Sequence, residues 1–428
     1  MQDSTRDQKK TNRVNSSGYL RDSSKFINIK KMWHWLLLCP IYWIYRTFRY
    51  CFQSYTLQRK PRTCPPFKTI DVSKYLPPAA NVSIVVTGGS GFLGSKIIEY
   101  LLLQGETQIW NLDIVGPKKV HKSVQFRKCD ITNRKQVFTL FNEAKPVIVY
   151  HVAALLCYAQ NLPHQWERAY KINVLGTKNL RDAALYHNAS RFIYTSSSTV
   201  VVGKNQAHLN MTEDVPYVTD TTTFSHYQLT KALAEQDIRK SDGTRLRNDK
   251  VFHTVCLRPT SMVFGAGEKS GPLSMALLCC FAPLLNGKTM LDVVSVENVA
   301  YGELLAEFAL RSDPCQVGGQ AIGLSNNDPI QWGDLYLLLK PYQPRLVLVT
   351  LLPWMYLSSA WISETVQWLF KGKVSIGALD NLSSSTVNLS LKEYTFSPDK
   401  AKALLNYRPI YTLDQGLEHL ATCLLDIQ

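Results

Sequence analysis

The chain has 428 residues, 45% of them hydrophobic and 19% charged, and carries a formal net charge of +15. That length holds a large core or two coupled domains, and the composition is that of a globular protein with some membrane-leaning segments. The positive balance is not a nucleic-acid signature, because the basic residues are spread out with no zinc-finger spacing, arginine-rich block or aromatic–basic RNA-binding pattern.

Residues 1–30 are polar and read as a disordered tail. Residues 31–53 follow as a candidate membrane anchor. Their uncharged apolar stretch runs from Trp33 to Tyr45, shorter than the roughly 20 residues of a straight spanning helix, and is broken by Pro40. Tryptophan and tyrosine throughout suit an interface. Lys25, Lys30, Lys31, Arg46, Arg49, Arg59, Lys60 and Arg62 crowd around it, which fits an anionic membrane surface. The segment is expected either to span or to lie in the plane. Residues 54–80 read as a linker. The ten cysteines form no C-x-x-C pair, so they are expected to be reduced thiols in a cytosol-facing compartment, with no metal centre.

From Asn81 the texture becomes strand–helix alternation. Val82, Ile84, Val85 and Val86 form a β-branched run expected of a strand buried on both faces. Helical spacing follows over 95–104, a strand over 108–114, a helix over 134–142, a strand over 147–152, a helix over 173–186 and a strand over 191–195. This rhythm predicts an α/β fold, a Rossmann-type doubly wound parallel sheet. The dinucleotide-binding domain is expected over 81–265, with a smaller C-terminal substrate-binding region over 266–428. Within that region the apolar run at 346–362, interrupted by Pro353 and continued to 370, is expected to be a substrate-entrance helix, a second membrane contact or a structural helix.

The first strand leads straight into Thr87-Gly88-Gly89-Ser90-Gly91-Phe92-Leu93-Gly94. Glycines at 88, 91 and 94 let a pyrophosphate rest on bare backbone amides at a helix N-terminus, with Phe92 and Leu93 in that first turn. Asp113, 19 residues after Gly94 at the end of the second strand, suits the adenosine ribose and would repel a 2′-phosphate, which favours NAD over NADP. Asp130 stands either where a third loop reaches adenine or as a turn or cap.

Tyr227 and Lys231 are spaced i, i+4, on one face if 222–239 is a helix. A free tyrosine, with a pKa near 10, is a poor base at neutral pH, and an adjacent ammonium favours its phenolate. Ser198, and after it Ser197, are the candidate hydroxyls at the end of an apolar strand to orient a substrate oxygen, with a plain Ser-rich turn as the alternative.

Together TGGSGFLG, Asp113, Asp130, HVAA at 151–154, INVLGTKN at 172–179, YTSSS at 194–198, YQLTK at 227–231 and LRPTSMVFGAGE at 257–268 resemble an extended short-chain dehydrogenase/reductase. More narrowly they resemble the 3β-hydroxysteroid dehydrogenase/isomerases and sterol-4α-carboxylate 3-dehydrogenases, a likeness carried on by 293–310, 320–336 and 397–420. The resemblance implies that Asp130 and Ile131 flank adenine, that His151 and Ala153 border the cofactor, that Asn173 supports the active site, and that Pro259 packs against the nicotinamide. It also implies Tyr227 as acid/base, Lys231 as its electrostatic partner and Ser198 as donor to the substrate oxygen. The chain departs from the family in a short FAPLLNGKTMLD segment, in Lys128-Cys129-Asp130 for GDL, and in Tyr301-Gly302 where Ala-His is usual.

The expected function is NAD-dependent oxidation of a steroid or sterol alcohol by a membrane-associated enzyme, at the endoplasmic reticulum with its catalytic domain toward the cytosol. A homodimer follows by analogy alone. Two other readings stay open: a nucleotide-sugar epimerase/dehydratase-like enzyme or non-steroid alcohol dehydrogenase of the same fold, and a catalytically silent NAD-binding scaffold.

Overall fold

The computed structural model describes residues 70–425 apart from 157–161, 206, 261, 269–270, 351 and 371–382. The expected tail and anchor over 1–53, and the linker up to residue 69, lie outside the described residues.

Among the described residues, seven parallel strands make the central sheet: β1 (Ile84–Thr87), β2 (Ile109–Asp113), β3 (Val124–Lys128), β4 (Ile148–His151), β5 (Arg191–Thr195), β6 (Val251–Pro259) and β7 (Gln320–Leu324). Their order is β7-β6-β5-β4-β1-β2-β3, and Thr244–Arg245 pairs antiparallel with β6. The order reverses between β1 and β4, the switch point where ligands of doubly wound sheets bind, at the carboxyl ends of the strands. All four residues of β1 are buried. The strand shows no alternation because helices cover both faces of the sheet.

Ile84, Val86, Ile193, Val255 and Leu257 pack against α1 (Phe92–Gln104) on one face. Val85, Leu112, Val149, Phe192 and Tyr194 pack against α2 (Arg134–Ala144), α3 (Thr177–Tyr186) and α4 (His226–Lys240) on the other. A fifth helix, α5 (Val296–Ser312), lies on the α1 side and reaches β5 and β6. It approaches closely at Gly302, where a Cβ would stand 2.6 Å from Leu324 Cδ1.

Three expectations change. β3 went unread because it is an edge strand, VQFRK, with no fully buried residue. The helix expected over 222–239 starts at His226, because the Ser225 side chain accepts from Gln228 N–H and caps it there. The sheet does not end at residue 265. Strand β7 and helix α5, both from the expected substrate region, complete it, since strand β6 is buried from Thr254 to Pro259 and needs a neighbour and a cover.

Beyond the sheet, residues 262–264 pair with 293–295 and residues 281–284 with 347–350, both in parallel. Pro353 does not interrupt an apolar helix. It begins one, α6 (Pro353–Leu369), in the first turn where a missing N–H costs nothing. The C-terminal α7 (Leu413–Leu425) closes the satellite core with Leu417, Leu420 and Ala421. Among the described residues, no helix is long and apolar enough to cross a membrane.

Candidate active site

The carboxyl ends of β1, β2, β4, β5 and β6 bring the expected residues to one edge. The glycine turn follows β1. Gly88 has φ +70°, and a Cβ there would stand 2.9 Å from the Ala153 backbone at the end of β4. Gly91 donates its N–H to the Gly88 carbonyl at 3.0 Å. A Cβ on Gly94 would overlap that same carbonyl, so α1 can begin against the turn only with glycine there. Phe92 and Leu93 open α1 and present first-turn amides of a 13-residue helix, a ready anion site.

Asp113 ends β2 and turns its carboxylate to this loop. One oxygen accepts from Ser90 N–H and the other from Val115 N–H, both at 3.0 Å. The carboxylate is thereby fixed next to the phosphate turn, where a ribose would lie. Asp130 is exposed, and one carboxylate oxygen accepts from Thr132 N–H of its own turn at 2.9 Å. The capping alternative therefore describes what its side chain does here. Ile131 points inward, against the place where a Gly176 Cβ would be. The Ile131 side chain is thus part of the core.

His151 is placed at the strand end as expected, with a different role for its ring. It is buried, with Nδ1 2.8 Å from the Thr87 hydroxyl and Nε2 2.8 Å from the Thr177 hydroxyl. Burial, and secondarily the Lys231 charge, hold its pKa well below the usual histidine range. It is a neutral strut between β1, β4 and α3, and neither ring nitrogen is left to border a cofactor. Ala153 does border the glycine turn, its N–H donating to Thr87 Oγ1 at 3.3 Å.

Asn173 lies in a π-helical stretch, Tyr170–Gly176. Such wide turns are rare and recur at functional sites. Its side chain accepts from Leu155 N–H at 2.7 Å and donates to Leu155 O and to Thr230 Oγ1, both at 3.1 Å. It therefore ties the segment after β4 to α4, between Tyr227 and Lys231.

On α4, Tyr227 is partly exposed and Lys231 is buried one turn later. Lys231 Nζ donates to the Thr195 carbonyl at the end of β5 and lies 4.2 Å from the centroid of the Tyr194 ring. Burial brings its pKa down to about 7, against an upward pull led by Glu235. Ser198 is fully buried, and its hydroxyl has no hydrogen-bond partner. Ser197 is instead committed to its own turn, its hydroxyl 2.9 Å from Thr199 Oγ1 and accepting from Thr199 N–H. Of the two candidate serines, Ser198 is the one with a hydroxyl to offer. Pro259 ends β6, buried beside Leu324.

Sequence reasoning missed Glu235, one turn beyond Lys231 on the same face. It is fully buried, pairs with Arg258 Nη2 at 2.7 Å, and accepts from Tyr217 Oη at 2.8 Å and from the Ser196 hydroxyl. Burial pushes its pKa up, but Arg258 and these donors hold it below the usual carboxylate range. The i+4 spacing from Lys231 was its signal. Among the described residues, no group of three or more metal-ligating side chains converges.

Compared with known proteins, the sequence model of the 3-beta hydroxysteroid dehydrogenase/isomerase family matches residues 85–353. The chain belongs to that family. An Arabidopsis thaliana 3beta-hydroxysteroid-dehydrogenase/decarboxylase isoform is 30% identical over 78% of this chain and 77% of its own length. The mouse sterol-4-alpha-carboxylate 3-dehydrogenase, decarboxylating, is 28% identical over 78% of this chain and 88% of its own. Among solved structures, an epimerase from Methanothermobacter thermautotrophicus superposes with a TM-score of 0.62 at 20% identity, covering 83% of this chain and 94% of that one. The NAD complex of a Thermus thermophilus UDP-glucose 4-epimerase gives 0.59 at 18% identity, covering 81% and 99%. These structures share the fold with this member of the hydroxysteroid dehydrogenase family. The expected fold and family are borne out, and family membership makes the chain a dehydrogenase by type.

Proposed function

We propose that this family member is an NAD-dependent dehydrogenase of a sterol secondary alcohol, with a 3-hydroxysterol bearing a 4-carboxylate as its substrate class. The observation that carries the reading is a partly exposed Tyr227 one helical turn from a buried Lys231 on α4, with the unpartnered hydroxyl of Ser198 in the 198–201 turn that packs against the same helix. The curated relatives named above, a sterol carboxylate dehydrogenase and a dehydrogenase/decarboxylase, support the substrate class.

The glycine turn and the start of α1 would hold the pyrophosphate, and Asp113 would take the ribose hydroxyls, which favours NAD over NADP. Bound there, the nicotinamide supplies the hydride acceptor. Ser198 Oγ donates to the substrate oxygen and orients it. Tyr227 Oη takes the hydroxyl proton as the carbinol carbon gives up its hydride, leaving a ketone. Lys231 favours the phenolate by its charge. Pro259, buried at the end of β6, would help to keep water from the bound nicotinamide.

A lipid-soluble substrate suits an enzyme that rests on a membrane, and α6 supports that placement. Trp354, Trp361 and Trp368 recur every seven residues, two helical turns, and each is at least 60% exposed. Ala360, Ser363 and Gln367 are buried on the opposite side. Tryptophan is the side chain enriched at the bilayer–water boundary, and an in-plane helix fits it better than a span. The test of the whole reading is incubation of detergent-solubilised protein with a 4α-carboxysterol and NAD, followed by mass spectrometry. Formation of the 3-ketone, with or without loss of the carboxylate, supports it. Unchanged sterol alongside demonstrated NAD binding contradicts it.

A further inference from the structure

Thr195, the last residue of β5, faces both layers of the fold. Its carbonyl accepts from Lys231 Nζ, which reaches it from α4 on one side of the sheet. Its hydroxyl donates, at 2.5 Å, to Glu303 Oε1 of α5 on the other side. Glu303 is fully buried, and its second oxygen has no hydrogen-bond partner. A carboxylate left so is costly unless a cation offsets it. Its neighbours on α5 are of no help: Leu304 and Ala306 are core, and Glu307 is engaged by Arg191 at 2.9 Å. The cation acting on Glu303 is Lys231.

We propose that Glu303 is a positioning residue which, through Thr195, keeps Lys231 charged and seated at the end of β5, one helical turn from Tyr227. The proposal rests on the dehydrogenase reading above and adds to it a residue on the far side of the sheet. The mutual effect is visible in both partners. Burial pushes the Glu303 carboxyl up to about 7, against lowering by the Thr195 hydrogen bond and the Lys231 charge. Glu303 in turn is among the groups that raise Lys231 against its burial. Near neutral pH burial thus draws both groups toward their uncharged forms, and the charge of each opposes that in the other. The other groups facing Lys231 are Glu235 on its own helix, Cys256 on β6, His151 on β4 and the Tyr194 ring on β5. Glu235 is already neutralised by Arg258, Cys256 is kept as a thiol by burial, and His151 is neutral. On the Glu303 side, Tyr150 of β4 feels its charge and stays a phenol through burial, and the Glu307–Arg191 pair is self-compensating. Glu303 is thus the acid whose protonation alters the charge around Lys231 in this range.

The test is Glu303→Gln in the full chain, read by the tyrosinate absorbance difference between each protein and its Tyr227→Phe counterpart across pH. Glutamine still accepts from Thr195 but brings no negative charge, so Lys231 is less readily charged and the Tyr227 phenolate less favoured. The expected result is an upward move of the Tyr227 midpoint by about one pH unit, the lower end of what one nearby charge does. The acid limb of kcat/KM for sterol oxidation should move by the same amount, with NAD binding unchanged. Thr195→Val, which removes the donor to Glu303, should move the midpoint the same way, whereas Thr195→Ser, which keeps it, should not. If Glu303→Gln does not fold, the Thr195 pair decides. Variants that lose thermal stability while the midpoint stays in place would overturn the proposal and leave Glu303 a structural acid. Because the titration needs no turnover, a wild-type protein inactive on every sterol would count against the dehydrogenase reading alone.

Discussion

The imidazole Nδ1 of His151 stands 2.8 Å from the hydroxyl of Thr87, joining the ends of β4 and β1 at the root of the glycine turn. With Nε2 on Thr177, the ring is held in a fully buried slot that suits only its neutral form. Its folded pKa is lowered, so below the unfolded value of 6.5 the unfolded chain binds a proton that the folded chain refuses. Stability should therefore fall as pH drops below that value and be regained as it rises. Chemical denaturation at about pH 5 and pH 7 should show this slope in the wild type and a flatter one in His151→Gln, which cannot protonate. Equal slopes would mean the ring does not carry the effect.

The start of α1 yields a second expectation. Gly94→Ala puts a methyl group into the Gly88 carbonyl, so the helix must withdraw from the turn that would hold the pyrophosphate. NAD affinity, followed by quenching of protein fluorescence, should weaken by about tenfold or more, with stability lowered by about 1–3 kcal/mol. Unchanged affinity would remove the turn from the cofactor site.

Asp113 gives a third. Asp113→Asn keeps one acceptor for the Ser90 or Val115 amide but removes the charge that repels a 2′-phosphate. The ratio of kcat/KM for NAD to that for NADP should fall by about tenfold, and a ratio that stays put would take the cofactor preference away from this residue.

A fourth concerns Glu235 and Arg258. Their pair is buried and satisfied by Tyr217, Ser196 and the Glu213 carbonyl. Removing one charge strands the other, so Glu235→Gln should cost about 3–5 kcal/mol in urea unfolding. The folded pKa of Glu235 is lowered, so its contribution is present above the usual carboxylate range and is lost as pH falls through the folded value. A loss much smaller than this would mean that Arg258 finds another acceptor.

How far the sequence spoke depended on whether a position signals through local rules or through tertiary contact. The glycine turn and Asp113 are local: a buried strand, a turn that admits only small residues, and an acid at the next strand end. The Tyr227–Lys231 pair needed only helical spacing. Edge strand β3 was silent because an edge carries no continuous apolar run. His151 and Ile131 stand at the right strand ends, yet where a side chain turns from there depends on neighbours far along the chain, Thr177 and Gly176. Glu303 was the least readable, lying in the apolar stretch VAYGELLAEFAL of α5. An acid on the core stripe of such a helix is itself a signal, but its partner Thr195 lies 108 positions away. The expected boundary at 265 failed for a related reason, since a late strand returns to complete an early sheet.

The central claim is that Tyr227 performs acid/base chemistry on a sterol alcohol with NAD as hydride acceptor. It is met most directly by following NADH absorbance from detergent-solubilised wild type and Tyr227→Phe, each offered a panel of 3β-hydroxysterols with and without a 4-carboxylate. NADH formation by the wild type, reduced about 10²–10⁴-fold in Tyr227→Phe with NAD binding retained, is the predicted result. Equal rates in the two proteins, or NAD binding by the wild type with no turnover of any member of the panel, would contradict it.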